Sequence, residues 1–137
     1  MSEFSTVSID IVDQDALVDA LVEMGYKPLV SKEAKKLHGY QGDQRNQKAH
    51  VIIPKSQVGG ASNDVGFEKL ADGSMVAHIS EYDRRSNFNT TKLNKVKQLY
   101  AQKRIEKKLK LKGSKYRIKS KTVDNKGNIK IKVSMRA

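Results

Sequence analysis

Cysteine is absent from this sequence. That excludes a disulfide, a thiolate nucleophile and a Cys-ligated zinc or iron–sulfur cluster. No apolar run approaches the ~20 residues a membrane helix needs. Met1-Ser2-Glu3-Phe4 has neither the basic n-region nor the apolar h-region of a secretory leader, so a cytoplasmic protein is expected. Catalytic signatures are missing as well. No HxH, HxxxH or HExxH pair links His38, His50 and His78, and each is read as structural. Gly59-Gly60 lacks the following Lys-Ser/Thr of a phosphate-binding loop and reads as flexible connection. No Ser or Thr sits in a nucleophile elbow. Glu81 and Asp83 resemble an acid/base pair, but beside Arg84 and Arg85 they are expected to form surface ion pairs. No enzyme and no cofactor is implied.

Acidic residues are nearly missing from one half of the chain. Residues 84–137 hold 19 of the 27 Lys and Arg and only two of the 15 Asp and Glu, Glu106 and Asp124. That half carries 19 − 2 = +17, and residues 1–83 carry 8 − 13 = −5. A contiguous stretch of one sign repels itself, and a polyanion set against it relieves the repulsion.

What is present is enough for one small domain spanning residues 1–137, acidic over residues 1–83 and strongly basic over residues 84–137. Val7, Ile9 and Ile11 alternate with polar residues as in a half-buried strand. Asp13 caps a helix running to Met24, with Leu17, Ala20, Leu21 and Met24 on its apolar face and Gly25 as its stop. Pro28-Leu29-Val30 begins a short second strand. Residues 32–48 are polar, with no strand expected among them, and the cluster Gly39-Tyr40-Gln41-Gly42-Asp43 reads as a turn or loop. Val51-Ile52-Ile53 is a short strand closed by Pro54, and 56–63 is a flexible connection. A hairpin turns at Ala71-Asp72-Gly73-Ser74. Asn89 or Thr90 caps a long helix to about Lys112, stopped by Gly113. Tyr116–Val123 and Ile129–Met135 form a C-terminal hairpin about Gly127. The expected fold is α+β: an antiparallel sheet with two helices packed on it and a C-terminal hairpin, a two-layer sandwich.

In the long helix Leu93, Val96 and Tyr100 share one apolar face, and Ala101, Ile105 and Leu109 share another. The second half therefore packs on a different neighbour or runs past the core. Its remaining face carries Lys92, Lys95, Lys103, Lys107 and Lys110, of which Lys103, Lys107 and Lys110 are the expected phosphate contacts. In the C-terminal hairpin, strict alternation puts Arg117, Lys119, Lys121, Lys130, Lys132 and Arg136 on one outer face. Such a ribbon suits phosphates, whose counterions are released on binding. A solvated face with lysines guarding an edge strand is the plainer reading. The near absence of interleaved acids favours the polyanion. Tyr100 and Tyr116 read as core, and no base-reading motif is present, so backbone or shape recognition of nucleic acid or a ribonucleoprotein is expected. An acidic protein partner is the alternative.

The loop His38-Gly39-Tyr40-Gln41-Gly42 brackets an aromatic and an amide between glycines. It suits a tight backbone path with Tyr40 against the domain, which is the favoured reading, and also a display loop in which His38, Tyr40 and Gln41 meet a ligand or partner. Its residues, with Asp64-Val65-Gly66-Phe67, Asn94-Lys95-Val96, Gln98, Tyr100-Ala101 and the Gly127 turn followed by Ile129 and Ile131, resemble the plastid and cyanobacterial conserved hypothetical ycf thirty-five family. That family's Arg-Gly-Tyr-Gln-Gly motif has His38 here in place of Arg, Glu3 stands where the family often has His, and the lysine load exceeds that of typical members. The resemblance implies a domain of unknown function with no established activity, a plastid-stromal or cytoplasmic setting, and, from neighbouring genes, a ferredoxin-like partner rather than a substrate.

Overall fold

The protein is described by a computed structural model covering residues 3–111, 116–123 and 129–135, with side chains over residues 3–110. Strand β1 (Phe4–Ile11) buries Ile9 and Ile11, as its alternation requires. Its register shifts between Ser8 and Ile11, where Asp10 takes a left-handed φ of 50°. Asp13 follows, and its Oδ1 accepts the Ala16 N–H at 3.1 Å to cap helix α1 (Gln14–Glu23). The chain leaves α1 through Gly25 at φ 97°, a conformation a Cβ disfavours. Leu17, Ala20 and Leu21 form the buried face of α1.

Residues 32–48 depart from the sequence expectation. Strand β2 (Leu29–His38) and strand β3 (Gln44–Ile53) are each ten residues long and pair antiparallel, so the turn is confined to 39–43. β2 lies at a sheet edge, where most of its side chains meet solvent. Backbone pairing then carries the strand without apolar alternation, and exposed Lys32, Lys35 and Lys36 keep the edge from pairing further. After Pro54 comes a single helical turn, α2 (Lys55–Val58), rather than a wholly flexible connection. Strands β4 (Val65–Lys69) and β5 (Met75–Ser80) form the expected hairpin, closed by the Leu70 N–H to the Ser74 carbonyl at 2.8 Å. A short helix α3 (Glu81–Arg85) and the long helix α4 (Thr90–Leu111) follow. Asn89 Oδ1 caps α4 by accepting the Lys92 N–H at 3.0 Å.

The five strands are ordered β1-β5-β4-β3-β2, all antiparallel. β1 and β2 are opposite edges, so α1 carries the chain from one edge to the other and the next strands meander back. The α+β class is thus realised as one antiparallel sheet with α1 and α4 against it. Val51, Ile53, Val65, Phe67, Ala77 and Ile79 supply the core on the helix side. Phe88 completes that core, its ring centroid 6.2 Å from Tyr26 and 6.5 Å from Phe67. The opposite face holds a smaller cluster of Leu37, Ala49 and Ile52 with Phe4 packed on it. There a Cβ on Gly66 would lie 2.7 Å from both Ala49 Cβ and Leu37 Cδ2, so glycine permits the close approach of the β2–β3 hairpin.

Leu93, Val96, Leu99 and Tyr100 of α4 are buried, whereas Ala101, Ile105 and Leu109 are only half-buried. The second stripe of the helix therefore leaves the sheet core. Tyr100 is core, as expected, and its hydroxyl oxygen accepts the Val12 and Asp13 N–H groups at 3.0 and 3.1 Å. Strands β6 (Tyr116–Val123) and β7 (Ile129–Met135) pair antiparallel as a separate two-stranded sheet. Their register shifts between Ile118 and Ser120, after which Lys121 stands opposite Ile131, Lys132 opposite Ser120 and Lys130 opposite Thr122. The unbroken alternation behind a single six-cation face is interrupted there. The expected Gly113 stop, the 124–128 connection and Arg136 lie outside the described residues, as do the side chains of Arg117, Lys119, Lys121, Lys130 and Lys132.

Candidate functional site

Two regions hold the residues singled out in the sequence. The first is α4. Lys103 Nζ lies 2.9 Å from Glu23 Oε1 and 3.9 Å from Glu106 Oε2. The Glu23 hydrogen bond outweighs partial desolvation and, with the surrounding carboxylates, raises the Lys103 pKa above its ordinary value. Lys107 Nζ lies 3.1 Å from Asp13 Oδ2. Two of the three helix lysines expected to meet phosphate thus also fasten α4 to α1. Lys110 is exposed, together with Lys92, Lys95 and Lys108.

The second region is built around turn 39–43. Asn63 and Asp64, expected in or beside a flexible connection, are buried and clamp the turn. Tyr40 N–H donates to Asn63 Oδ1 at 2.9 Å. His38 N–H donates to Asp64 Oδ2 at 2.8 Å, and Lys55 N–H donates to Asp64 Oδ1 at 2.8 Å. His38 Nδ1 is 3.4 Å from the same Asp64 Oδ2, while Gln41 is exposed at the tip of the turn. The backbone of the turn is therefore held against the domain while Tyr40 as a residue stays 39% exposed. The tight backbone path expected of this loop is present.

Asp83 corrects the expectation of surface ion pairs at Glu81 and Asp83. It is fully buried, and among the described residues neither acid pairs with Arg84 or Arg85. Ser80 explains the burial. Its Oγ accepts the Asp83 N–H at 3.1 Å, capping α3, and donates to Asp83 Oδ2 at 2.8 Å. Asn63 N–H donates to the same oxygen at 3.0 Å. Asp83 Oδ1 has no hydrogen-bond partner among the described residues. The spacing Ser80-x-x-Asp83 is a helix-capping pattern, and reading it as such would have placed Asp83 beneath the helix start.

Above this network lies a cleft of about 620 Å³. The turn contributes Tyr40, and the following loop contributes Ala61 and Asn63. α3 and its end contribute Glu81, Tyr82, Arg85 and Ser86, and Glu3 completes the rim. The three histidines do not converge. His50 Nδ1 accepts the Lys69 N–H at 3.0 Å, and His78 lies between Thr6 Oγ1 at 3.0 Å and Glu68 Oε1 at 2.8 Å. Among the described residues no three His, Asp or Glu side chains are grouped to hold a metal ion. No helix among them is long and apolar enough to cross a membrane.

A family model described as "Protein of unknown function (DUF1257)" matches residues 20–132. The chain belongs to that family. Neither the curated proteins nor the solved structures give a match. The DUF1257 stretch contains turn 39–43, the Asn63–Ser80–Asp83 network, α4 and every cation singled out above except Arg136. Glu3 and the Asp13 cap precede it.

Proposed function

We propose that this DUF1257 protein is a small non-catalytic accessory protein whose basic half binds nucleic acid or a ribonucleoprotein through phosphates, and that within its family it stands with the ycf thirty-five members. The observation that carries the reading is the one-sign charge of residues 84–137, 19 cations against two acids. A surface of this kind gains affinity chiefly by releasing condensed counterions. Lys110 on α4 and Arg117, Lys119, Lys121, Lys130, Lys132 and Arg136 beyond it are the proposed contacts. Lys103 and Lys107 join them only by exchanging Glu23 and Asp13 for phosphate.

Binding of labelled mixed-sequence RNA and DNA to the full chain, followed by anisotropy across salt concentrations, tests this. Neutralising about six phosphates loses on the order of 10³-fold in affinity between about 50 and 200 mM salt. A flat response rejects the reading. One observation favours an acidic, ferredoxin-like protein as the second reading: Lys103 and Lys107 already accept carboxylates within the chain. Capture of an acidic protein that survives nuclease treatment, without an excess of absorbance at 260 nm in the purified chain, selects that partner.

A further inference from the structure

We propose that the cleft between turn 39–43 and α3 is a binding site for a small organic cation, an amine or guanidine with a planar or apolar body. The proposal concerns a cleft lined mostly by the acidic half of the chain and does not depend on the polyanion reading. Tyr40 and Tyr82 line the same cleft at 39% and 44% exposure, so both are available to a ligand rather than spent in the core. The face of a tyrosine ring carries negative potential and attracts a cationic nitrogen within about 6 Å of its centroid.

Among the described residues neither Glu3 nor Glu81 forms an ion pair, and Asp83 has no cation within 4.0 Å. Asp83 is bonded to Asn63, which itself lines the cleft, and its second carboxylate oxygen is unpartnered and buried. A buried carboxylate is screened less by salt and water than a surface one. Formal charges of −2 from Glu3 and Glu81 against +1 from Arg85 leave the lining at −1, with the buried Asp83 carboxylate behind Asn63. Lys55, whose Nζ is 3.4 Å from the Tyr40 carbonyl oxygen, offsets the lining charge, and the Asp83 carboxylate behind Asn63 keeps the surroundings negative by one.

The cleft is also pre-formed. Asn63 and Asp64 hold the turn and its stem by three hydrogen bonds, from the His38 and Tyr40 N–H groups and to the His38 carbonyl, and Ser80 fixes the start of α3. Ala61 is held at a left-handed φ of 57° although it is not glycine. Such conformations persist where the surrounding structure imposes them and cluster at binding sites. The volume of about 620 Å³ lies within the range of small-molecule sites. In this arrangement the cationic nitrogen donates to Glu81 and Glu3, and the body of the ligand lies against Tyr40 and Tyr82.

Benzamidine and benzoate, planar rings of opposite charge, are the probes. Each is titrated into the full chain at low salt while the ring resonances of Tyr40 and Tyr82 are followed by NMR. Saturable shifts of both rings with benzamidine and none with benzoate are expected. E81Q, a substitution at an exposed position, should weaken benzamidine by about fivefold or more. R85Q should tighten it, because a like charge is removed. Y82A should weaken it more than Y82F, which keeps the ring. The proposal is overturned if benzoate binds as well as benzamidine, if R85Q weakens benzamidine, or if the ring shifts do not saturate by about 10 mM. Circular dichroism of each variant separates lost binding from lost folding.

Discussion

Residues 3–83 take most of their few deeply placed polar groups out of solvent and bond them, whereas residues 84–110 display theirs. In the first region Asp64, Asp83 and His78 are buried, each held by amides, hydroxyls or a neighbouring carboxylate. In the second, ten cations face a single acid, Glu106, and the two best-anchored ones reach back to acids of α1 and its cap. The difference shows how α4 is docked. Its first half is seated by Leu93, Val96, Leu99 and Tyr100, and its second half by the Lys103–Glu23 and Lys107–Asp13 pairs. Burying a large apolar side chain stabilises by ~1.5–3 kcal/mol, and an exposed ion pair by less than about 1 kcal/mol. The apolar half therefore sets the position of the helix, and the charged half adds little to it.

The largest break in this comparison is expected from Phe88→Ala. Phe88 joins the two regions, packed between Tyr26 and Phe67 just before α4. Removing the ring opens a cavity under the first turn of the helix and should cost ~3–5 kcal/mol in urea unfolding. A loss below about 1 kcal/mol would mean that α4 is seated by something other than this contact. Tyr100→Phe comes next. It keeps the ring but removes the oxygen that accepts the Val12 and Asp13 N–H groups. Two amides lose their partner at the entry to α1, for a cost of ~1–3 kcal/mol. Hydrogen exchange at those two amides should accelerate, and unchanged exchange would show that water replaces the hydroxyl.

The sequence made the apolar seats legible and the polar ones much less so. Ile9, Ile11, Leu17, Leu93 and Val96 announce themselves by period, and Asp13 and Asn89 by their place before a helix. β2 and the first half of β3 carry no such period. An edge hairpin pairs through its backbone, and its solvent-facing lysines are indistinguishable from those of a loop. Asp83 misled for a related reason. Beside Arg84 and Arg85 its charge pointed to the surface, while its position three residues after Ser80 pointed to a cap. Tyr40 divided between the two cases: its glycines told of the turn, and only the fold brings its ring to the same cleft as Tyr82 and Glu81. The charge asymmetry was legible in full, but the Lys103 and Lys107 pairings depend on a helix crossing that no local pattern encodes.

The smallest expected effect is at those pairings, and pH separates its causes. Burial disfavours the Asp13 carboxylate, but the Ala16 N–H, the Lys107 hydrogen bond and charge, and the Arg104 charge together hold its pKa below the ordinary 3.8. A depressed carboxylate stabilises the fold above its ordinary value, and that contribution is lost as pH falls from 3.8 through the lower folded value. Lys103 is displaced upward from 10.5, so its contribution is complete below 10.5 and is lost as pH rises through the higher folded value. Between these limits both pairs hold. Lys107→Ala should therefore cost less than about 1 kcal/mol at pH 7, and the cost should shrink in high salt. The Ala16 N–H still favours the Asp13 carboxylate in that variant, so acid unfolding should shift only some of the way toward the ordinary carboxylate range. If the difference from the parent chain persists once Asp13 is protonated, Lys107 acts through its alkyl stem on α1 rather than through its charge. In that case the second half of α4 is fastened by packing after all, and Lys107 is free to meet a phosphate without releasing the helix.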